Sequence, residues 1–362
     1  MLRVKPGIDR IKPHMAGGDA PDHPPPTILL NSNESAFGPS PAARAAMRDA
    51  VNSVERYLEH IDTVLAPPIA ERFDLDGSRI AVGQGSDDLL ARLARAYLGP
   101  GDELIRTANG YLKVPNYAYA NGAEAISVAD DEFVPAVDRM IGALTENTRI
   151  VYLANPENPA GTYLSGAEVR RLHAALPASV LLVIDAAYEE YVDAPDYESA
   201  APLVEEAQNV VMCRTFSKIY GLAGARVGWM YGAPEVVDTA RRIGLTFPVA
   251  SPAAAAAIAA LDDVDHVRAV REANRRGRDW ITAELTALGL TVIPSQANFV
   301  LVQFPDAGKP ARLADQFLRR KGIAVRRFAS PAYEDYIRIS IGFPHELRAV
   351  RDGIAAFLRG TA

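Results

Sequence analysis

The residue in this sequence best suited to chemistry is Lys218, which follows an apolar run and stands in a polar turn. Residues 210–213 are predicted to form a buried strand, and the turn after them carries hydroxyl groups at Thr215 and Ser217. A lysine amine at a strand end can form a Schiff base, and Arg226, eight residues on, can bind a phosphate. An isolated Ser-Lys pair would indicate only an exposed lysine, because most lysines are exposed.

The stretch around this lysine is long enough to identify a family. Residues 217–229, SKIYGLAGARVGW, resemble the lysine segment of fold-type I pyridoxal 5'-phosphate (PLP) enzymes of aminotransferase class I/II, and most of all that of the histidinol-phosphate aminotransferase family. The resemblance covers about residues 30–342, with the motifs in family order. It implies that Lys218 binds PLP covalently, that Arg226 binds its phosphate, and that Thr215 and Ser217 contact it.

A second anion-binding segment follows the apolar run at 79–82. Gly85, Ser86 and Asp87 come after this predicted strand and open a helix, whose free backbone N–H groups can bind an anion. The GxG pattern of Gly83 and Gly85 also suggests a dinucleotide site, but the third glycine of that fingerprint is missing. The resemblance makes this segment the PLP-phosphate cup, with Ser86 and Asp87 as hydrogen-bond donors.

Two further motifs supply groups for the cofactor ring. Asn158 in NPENPAG resembles the family's amide that binds the PLP phenolic oxygen. Asp185 ends an apolar run, and a buried carboxylate there needs a cation or hydrogen bonds. The resemblance pairs Asp185 with the pyridine nitrogen and Tyr188 with the phenolic oxygen; the alternative for Asp185 is a helix N-cap.

The aromatic residue that stacks on the PLP ring is expected in the segment NGYLKVPNYAYANGA. The resemblance places it at Tyr111. Asn109 and Lys113 stand where the family usually has proline and methionine, and Tyr117 and Tyr119 are competing aromatic residues.

Four residues are candidates for substrate contact. Arg338, in the RISIG motif, resembles the arginine that holds the anionic group of the substrate, and Arg326 is a second candidate. Arginine suits this role because its planar donors bind carboxylate or phosphate in a bidentate manner. Asn33 lies in a segment that resembles the family's NENPxGPSP, and His14 stands where the family often has a tyrosine near the substrate.

The order of apolar runs predicts an α/β protein. Strand-like runs recur at 103–106, 125–128, 150–153, 181–184 and 210–213, with helical or loop segments between most of them. This alternation predicts a mostly parallel sheet with helices on both faces. The resemblance implies that this sheet belongs to the PLP-dependent transferase fold. Ligands of such sheets bind at the carboxyl ends of the strands, where most of the candidate residues fall.

Three regions are predicted along the chain. Residues 1–36 form an N-terminal arm that completes a small domain, residues 37–252 form the large PLP-binding domain, and residues 253–362 form the smaller C-terminal α/β domain. Tyr57 resembles the tyrosine that reaches the PLP phosphate of the neighbouring subunit. Together with the arm, Tyr57 predicts a homodimer with shared active sites.

Composition restricts the partners. The chain has 362 residues, 49% of them hydrophobic, and a net charge of -7, which argues against nucleic acid or an acidic membrane as a partner. The single cysteine, Cys213, predicts a reducing compartment, and the charged, proline-containing N-terminus lacks a signal-peptide pattern, so a cytoplasmic location is expected. The six histidines have no ligand spacing, and no metal site is expected.

The resemblance implies transfer of an amino group from an anionic amino donor, histidinol phosphate or a related amino acid, to a 2-oxo acid such as 2-oxoglutarate. Aromatic amino acids are the alternative donors. A decarboxylase of the threonine-phosphate decarboxylase type is a further alternative, because it shares fold and cofactor. A regulator with an aminotransferase-like domain is disfavoured, since only a proline-rich arm precedes the first motif.

Overall fold

Helices and strands alternate through the chain, as the apolar runs predict. The computed structural model describes residues 4–11, 27–58 and 60–360, and His14 lies outside them. The strands are β1 (Ile28–Leu29), β2 (Ile80–Gly83), β3 (Glu103–Thr107), β4 (Glu124–Val128), β5 (Thr148–Ala154), β6 (Leu181–Asp185), β7 (Val210–Thr215), β8 (Gly228–Gly232), β9 (Thr291–Ile293), β10 (Phe299–Gln303), β11 (Ile323–Ala324) and β12 (Tyr336–Ser340). The helices are α1 (Pro41–Ala50), α2 (Ile61–Phe73), α3 (Ser86–Tyr97), α4 (Val114–Tyr119), α5 (Val137–Gly142), α6 (Gly166–Ala174), α7 (Ala201–Glu206), α8 (Pro234–Arg242), α9 (Ser251–Asp262), α10 (Val264–Ala287), α11 (Ala311–Arg320) and α12 (Pro344–Arg359).

The large sheet has seven strands in the order β2-β8-β7-β6-β5-β3-β4. Strands β4, β3, β5, β6 and β7 pair in parallel, and β8 runs antiparallel to both β7 and β2. Strands β6 and β7 are buried along their whole length, because helices cover both faces of the sheet. The predicted fold class, a mostly parallel sheet flanked by helices, is confirmed.

Alternate side chains of the central strands enter two separate cores. Leu153 and Ile184 pack into the core on one face, whereas Tyr152, Val183 and Cys213 pack into the core on the other face. This alternation follows from the two-residue period of a strand. The thiol of Cys213 is buried, and burial raises its pKa well above the ordinary value.

The parallel strands end at one edge of the sheet. Their last residues are Gly83, Thr107, Ala154, Asp185 and Thr215, in β2, β3, β5, β6 and β7. Each of these residues is followed by a segment that the sequence identifies as part of the site. The carboxyl edge of the sheet therefore brings segments from five distant parts of the chain together.

The second unit contains the antiparallel sheet β12-β10-β9 together with α11 and α12. Strand β1 pairs in parallel with β11, and Leu30 packs into the same core as Ile281 and Ile337. Residues 27–30 therefore join this unit, as the predicted arm should.

The packing of α9 and α10 bears on where the boundary between the two units lies. Helix α9 buries its alanine face in the same core as α1 and α2, and Val270 of α10 also lies in that core. Ile281, later in α10, lies in the core of the second unit. We therefore propose that the boundary falls within α10 rather than after residue 252.

The first part of the arm also packs differently from the prediction. Arg10 forms an ion pair with Glu124 of β4 at 2.6 Å, and its guanidinium lies 3.8 Å from the centre of the Tyr119 ring in α4. Residues near position 10 therefore contact the large sheet unit, whereas residues 27–30 contact the smaller one.

The described residues lack two kinds of feature. Residues 4–11, 27–58 and 60–360 contain no helix with the length and apolar character that crossing a bilayer requires. The same residues contain no group of three or more His, Cys, Asp or Glu side chains that could hold a metal ion.

Candidate active site

A cavity of about 250 Å³ lies at the carboxyl edge of the large sheet. Most of the cofactor residues predicted from the sequence line it. They are Ser86, Asp87, Tyr111, Asn158, Asp185, Tyr188, Thr215, Ser217, Lys218 and Arg226. The cavity wall also contains residues that the sequence did not indicate, namely Ser32, Glu34, Tyr152, Ala154, Pro156, Ala187 and Ala223.

Lys218 lies in the turn after β7, where hydroxyl groups fix the backbone. Thr215 Oγ1 accepts a hydrogen bond from the Ser217 backbone N–H at 3.1 Å and donates to Ser217 Oγ at 2.9 Å. Lys218 Nζ lies 5.5 Å from the centre of the Tyr188 ring, and it has no hydrogen bond or ion pair with the described part of the chain. The amine is therefore available to a ligand in the cavity.

Asp185 is a buried carboxylate without an ion-pair partner among the described residues. Its Oδ2 accepts a hydrogen bond from Tyr152 at 2.9 Å, and its Oδ1 accepts one from the Ala187 backbone N–H at 3.3 Å. Burial raises the pKa of Asp185 to about 6, although the Tyr152 hydrogen bond and the charge of Lys218 both act to lower it. The predicted alternative, a helix N-cap, does not describe Asp185, because the turn after it begins a short 3₁₀ helix at Glu189 whose N-cap position is Tyr188.

Arg226 and the start of α3 form a cup for an anion. The guanidinium donates to Ser217 Oγ at 3.3 Å and to the Gln84 carbonyl at 3.4 Å, which places it beside the first turn of α3. Gly85 has a φ of 79°, and a Cβ at this position would collide with the Arg226 guanidinium. The first backbone N–H groups of α3 have no partner within the helix, so they remain available to an anion.

The side chain and the backbone of Asp87 have different roles. The sequence predicts it as a donor to the phosphate, but its carboxylate accepts hydrogen bonds from Tyr117 at 2.6 Å, from Tyr111 at 3.1 Å and from Lys113 at 3.1 Å. A carboxylate engaged in this way cannot donate. Only the backbone N–H of Asp87 can serve the cup.

Tyr188 and Asn33 form one buried pair. The Asn33 amide donates to the Tyr188 hydroxyl at 3.0 Å, and its oxygen accepts a hydrogen bond from Ser340 at 3.2 Å. Asn33 is only 2% exposed and is not part of the cavity wall. The hydrogen bond to Tyr188 connects Asn33 to the cavity wall, and its contact with substrate stays a prediction. Asn298 in turn donates to the Asn33 carbonyl at 3.0 Å.

Arg338 lies directly behind Asn158. Its Nη1 donates to Asn158 Oδ1 at 2.7 Å, and its Nη2 donates to the Asn31 carbonyl at 3.0 Å, while Nε has no partner. Arg326 pairs with Arg338 through two backbone hydrogen bonds of 2.9 and 3.0 Å. Burial, together with the charge of Arg326, lowers the pKa of Arg338 to about 10. Neither arginine forms part of the cavity wall as it stands.

A further predicted site residue, Tyr57, does not line the cavity of the single chain. Tyr57 is 75% exposed and stacks on Phe247, with ring centres 4.2 Å apart. His14 lies outside the described residues. Tyr111 lies in the cavity wall, whereas Tyr117 is held behind it and Tyr119 contacts Arg10, so the structure favours Tyr111 among the three tyrosines.

Sequence reasoning missed Tyr152 and Glu157. Tyr152 sits in the apolar strand β5, and a buried tyrosine hydroxyl needs a partner, which is a signal that points to the neighbouring strand. Glu157 is buried next to Asn158, where its carboxylate accepts hydrogen bonds from Thr107 Oγ1 at 2.9 Å and from the Asn158 backbone at 3.0 Å. Burial raises the pKa of Glu157 to about 7.

These residues fit pyridoxal phosphate. Among the described residues, the lysine amine in the cavity has no hydrogen-bond or ion-pair partner, and the buried carboxylate has no cation beside it. An arginine lies beside a helix start, in a space that a side chain at Gly85 would occupy. The three groups match an aldehyde, a protonated ring nitrogen and a phosphate. The fold and the site together define a PLP-dependent transferase.

Comparison with known proteins gives the family. The family model described as aminotransferase class I and II matches residues 25–354, and the chain belongs to this family. The predicted enzyme class, a PLP-dependent aminotransferase, and its cofactor are thereby confirmed, and its substrates are small molecules.

Relatives of known name are similar over nearly the whole chain. A histidinol-phosphate aminotransferase from Paramagnetospirillum magneticum is 44% identical over 355 residues, and one from Nitrobacter winogradskyi is 43% identical over 358 residues, each covering 98% of both chains. The crystal structure of histidinol-phosphate aminotransferase from Sinorhizobium meliloti in complex with pyridoxal-5'-phosphate matches with a TM-score of 0.88 and 30% identity, over 93% of this chain and 92% of that one.

The buried carboxylate of Asp185 is predicted to lower the free energy of unfolding of the cofactor-free protein as the pH rises. The folded state holds the proton of Asp185 up to a pH of about 6, whereas an unfolded aspartate loses it near 3.9. Between these values the free energy of unfolding falls as the pH rises. Asp185→Asn should therefore stabilise the cofactor-free protein at pH 7.5 by up to about 3 kcal/mol, and the gain should disappear below about pH 4.

Urea unfolding at several pH values measures this effect. Asp49→Asn is the matched control, because Asp49 is exposed on α1, and it should not change the free energy of unfolding at any pH. An Asp185→Asn protein that is less stable than the parent at pH 7.5 would contradict the prediction.

Proposed function

We propose that this aminotransferase moves the amino group of histidinol phosphate to a 2-oxo acid such as 2-oxoglutarate. The named relatives that cover 98% of the chain are histidinol-phosphate aminotransferases. Within the molecule, the observation that carries the proposal is the pair Arg326 and Arg338. In the described residues, neither guanidinium is paired with a carboxylate.

This arginine pair suits a ligand with more than one negative charge. A buried cation without an anion is costly, and Arg338 also keeps an unpartnered Nε. A phosphate ester carries a charge of about −1.5 to −2 at pH 7, and 2-oxoglutarate carries two carboxylates. An aromatic amino acid has a single carboxylate, which would compensate only one of the two guanidinium groups.

The residues that would hold the cofactor follow from the site. Bound pyridoxal phosphate supplies an electrophilic carbon for the substrate amine and a ring that withdraws electrons from the adjacent carbon. Arg226, Ser217 and the first N–H groups of α3 would hold its phosphate, with Thr215 supporting Ser217. Asp185 would hold the ring nitrogen, and Asn158 and Tyr188 the phenolic oxygen.

Lys218 supplies the mobile base. The substrate amine would replace Lys218 on the cofactor and release Nζ. Because Nζ is bound to no other group of the described chain, it can then accept the proton that leaves the amino-bearing carbon of the substrate. The negative carboxylate of Asp185 would favour a positive charge on the ring nitrogen of the cofactor. A positively charged ring withdraws electrons more strongly, which makes loss of that proton from the substrate easier. Lys218 therefore accepts the proton, whereas Asp185 favours the charge on the ring that makes its removal easier.

Neighbouring residues orient the groups around the phenolic oxygen. Because Tyr188 accepts a hydrogen bond from Asn33, its own O–H remains free to donate into the cavity. Asn158 Oδ1 accepts from Arg338, which leaves the amide N–H₂ of Asn158 as the donor that faces the cavity. Arg338 thereby connects the proposed substrate site to the cofactor site.

A homodimer with shared active sites is part of the proposal. Tyr57, Phe247, Leu245, Val51 and Val54 are large apolar residues that are exposed in the single chain. Exposed apolar groups that lie together are typical of an interface, and Tyr57 and Phe247 stack on each other. We infer that a second copy of the chain covers them and that Tyr57 reaches the phosphate in the partner's cavity.

The covalent role of Lys218 can be tested chemically. Borohydride reduction of the PLP-loaded protein, followed by proteolysis and mass spectrometry, should place the cofactor on Lys218. Lys113 is the internal control, because its Nζ lies near the cavity but is paired with Asp87. A reduced adduct on Lys113 or on any other lysine would overturn the assignment.

The substrate proposal predicts the outcome of a donor panel. Single-turnover conversion of bound PLP to pyridoxamine phosphate should be fastest with histidinol phosphate, and 2-oxoglutarate should reverse it. Faster conversion by phenylalanine or tyrosine would favour the aromatic alternative, and release of carbon dioxide would favour the decarboxylase.

The variant Arg338→Lys tests whether Arg338 binds the amino donor. Lysine keeps the charge but loses the planar pair of donors, so the KM for histidinol phosphate should rise about tenfold, the value of one charged hydrogen bond. Arg312→Lys, at an exposed position of α11, should leave the KM unchanged. An unchanged KM in Arg338→Lys would contradict the proposed substrate site.

The shared site predicts complementation between inactive chains. Mixing Lys218→Ala with Tyr57→Ala and allowing subunit exchange should restore part of the activity, because one site of each mixed dimer has an intact lysine and an intact tyrosine. Mixing Lys218→Ala with Asp185→Ala should restore none, since both residues belong to the same chain's cavity. Equal behaviour of the two mixtures after confirmed exchange would count against the shared site.

A further inference from the structure

Asp87 is held by three side-chain donors from one neighbouring segment. Its Oδ1 accepts hydrogen bonds from the hydroxyls of Tyr117, at 2.6 Å, and Tyr111, at 3.1 Å, and its Oδ2 accepts one from Lys113 Nζ at 3.1 Å. The donors come from α4 and the turn before it, whereas Asp87 belongs to the first turn of α3. The carboxylate therefore ties the phosphate cup to the segment that carries Tyr111.

Support of the helix start does not account for this arrangement, because Asp88 already provides it. The carboxylate of Asp88 accepts the Gln84 backbone N–H at 2.9 Å and pairs with Arg92 at 2.5 Å. Asp87 instead faces the cavity, together with Tyr111. Two adjacent acids in one turn thus have separate tasks.

We propose that Asp87 is a positioning residue that fixes the ring of Tyr111 against the cofactor. This inference rests on the proposed PLP site. Tyr117 is buried in the core beneath α4, so its hydroxyl occupies a fixed place and holds Oδ1 of Asp87. The same oxygen accepts the hydrogen bond of the Tyr111 hydroxyl. The fixed position of Tyr117 in α4 therefore restricts the position of the Tyr111 ring, because both hydroxyls bind one carboxylate oxygen.

Lys113 gives this arrangement its charge balance. A carboxylate next to a phosphate would repel it, but the Lys113 ammonium, 3.1 Å from Asp87 Oδ2, offsets the charge. Burial opposes the ionised form of Asp87, yet hydrogen bonds from Tyr117, Lys113 and Tyr111 outweigh burial, and the pKa of Asp87 lies below its ordinary value. Asp87 is therefore an anion and an acceptor at neutral pH. Lys113 thus has a defined partner at a position where the sequence departs from the family motif.

The test compares PLP binding in hydroxyl and carboxylate variants. Tyr117→Phe and Asp87→Asn keep the shape of each side chain but weaken the carboxylate's hold on Tyr111. Each should raise the Kd for PLP roughly three- to tenfold, the effect of about one hydrogen bond, and should change the visible circular dichroism of the bound cofactor. Tyr163→Phe is the control, because Tyr163 donates to Asp196 at 2.7 Å away from the cavity, and it should change neither quantity.

A double-mutant cycle separates positioning from general stability. If Asp87 acts through Tyr111, the Kd of Asp87→Asn with Tyr111→Phe should be no higher than that of the weaker-binding single variant. Additive losses, or variants in which only the thermal stability of the cofactor-free protein falls while Kd and circular dichroism stay unchanged, would overturn the proposal. Failure of the parent protein to bind PLP at Lys218 would instead overturn the proposed function, so the two failures are distinguishable.

Discussion

The hydrogen-bond ladder between β5, β6 and β7 is the constraint on which the site depends. It pairs Ala154 with Asp185 and Asp185 with Cys213, so β5 and β6 end level with one another and β7 continues for two more residues to Thr215. The ladder continues past the strand ends, where Asn155 N–H donates to the Asp185 carbonyl at 3.0 Å. A shift of one residue would send Asp185 to the opposite face of the sheet and remove it from the cavity.

The site concentrates polar groups that a stable core would avoid. Asp185 and Arg338 are buried and lack ion-pair partners in the described residues, and the pKa of each is moved toward its neutral form. A ligand of opposite charge can remove this cost when it binds, so the buried charges favour binding of cofactor and substrate. The same reasoning explains why the large cores beneath the sheet are apolar while its carboxyl edge is not.

Charged side chains next to Tyr111 and Asn158 have local charge compensation. Lys113 pairs with Asp87 at the cup, and Glu157 is buried near Arg106, whose charge favours the ionised carboxylate. Glu157 also accepts the backbone N–H of Asn158. Lys113 shares Asp87 with Tyr111, and Glu157 contacts Asn158, so both charged residues lie beside residues assigned to the cofactor ring.

The sequence by itself determined the fold class, the lysine segment and most of the cavity wall. These features are local: a strand period, a turn with hydroxyl groups around Lys218, and a glycine before a helix at Gly85 can each be recognised within a few residues. Their common location also followed from sequence, because parallel strands end at one edge.

Only the tertiary structure decided how distant side chains share their hydrogen bonds. Asn158 and Arg338 are separated by 180 residues, Tyr152 and Asp185 by 33, and Asp87 and Tyr117 by 30, and no local pattern indicates such pairs. It also placed the alanine-rich helix α9 in the large core, because an apolar face does not specify which core it will join. The sequence fixes which groups a segment offers, whereas the partner of each group depends on packing across the whole chain.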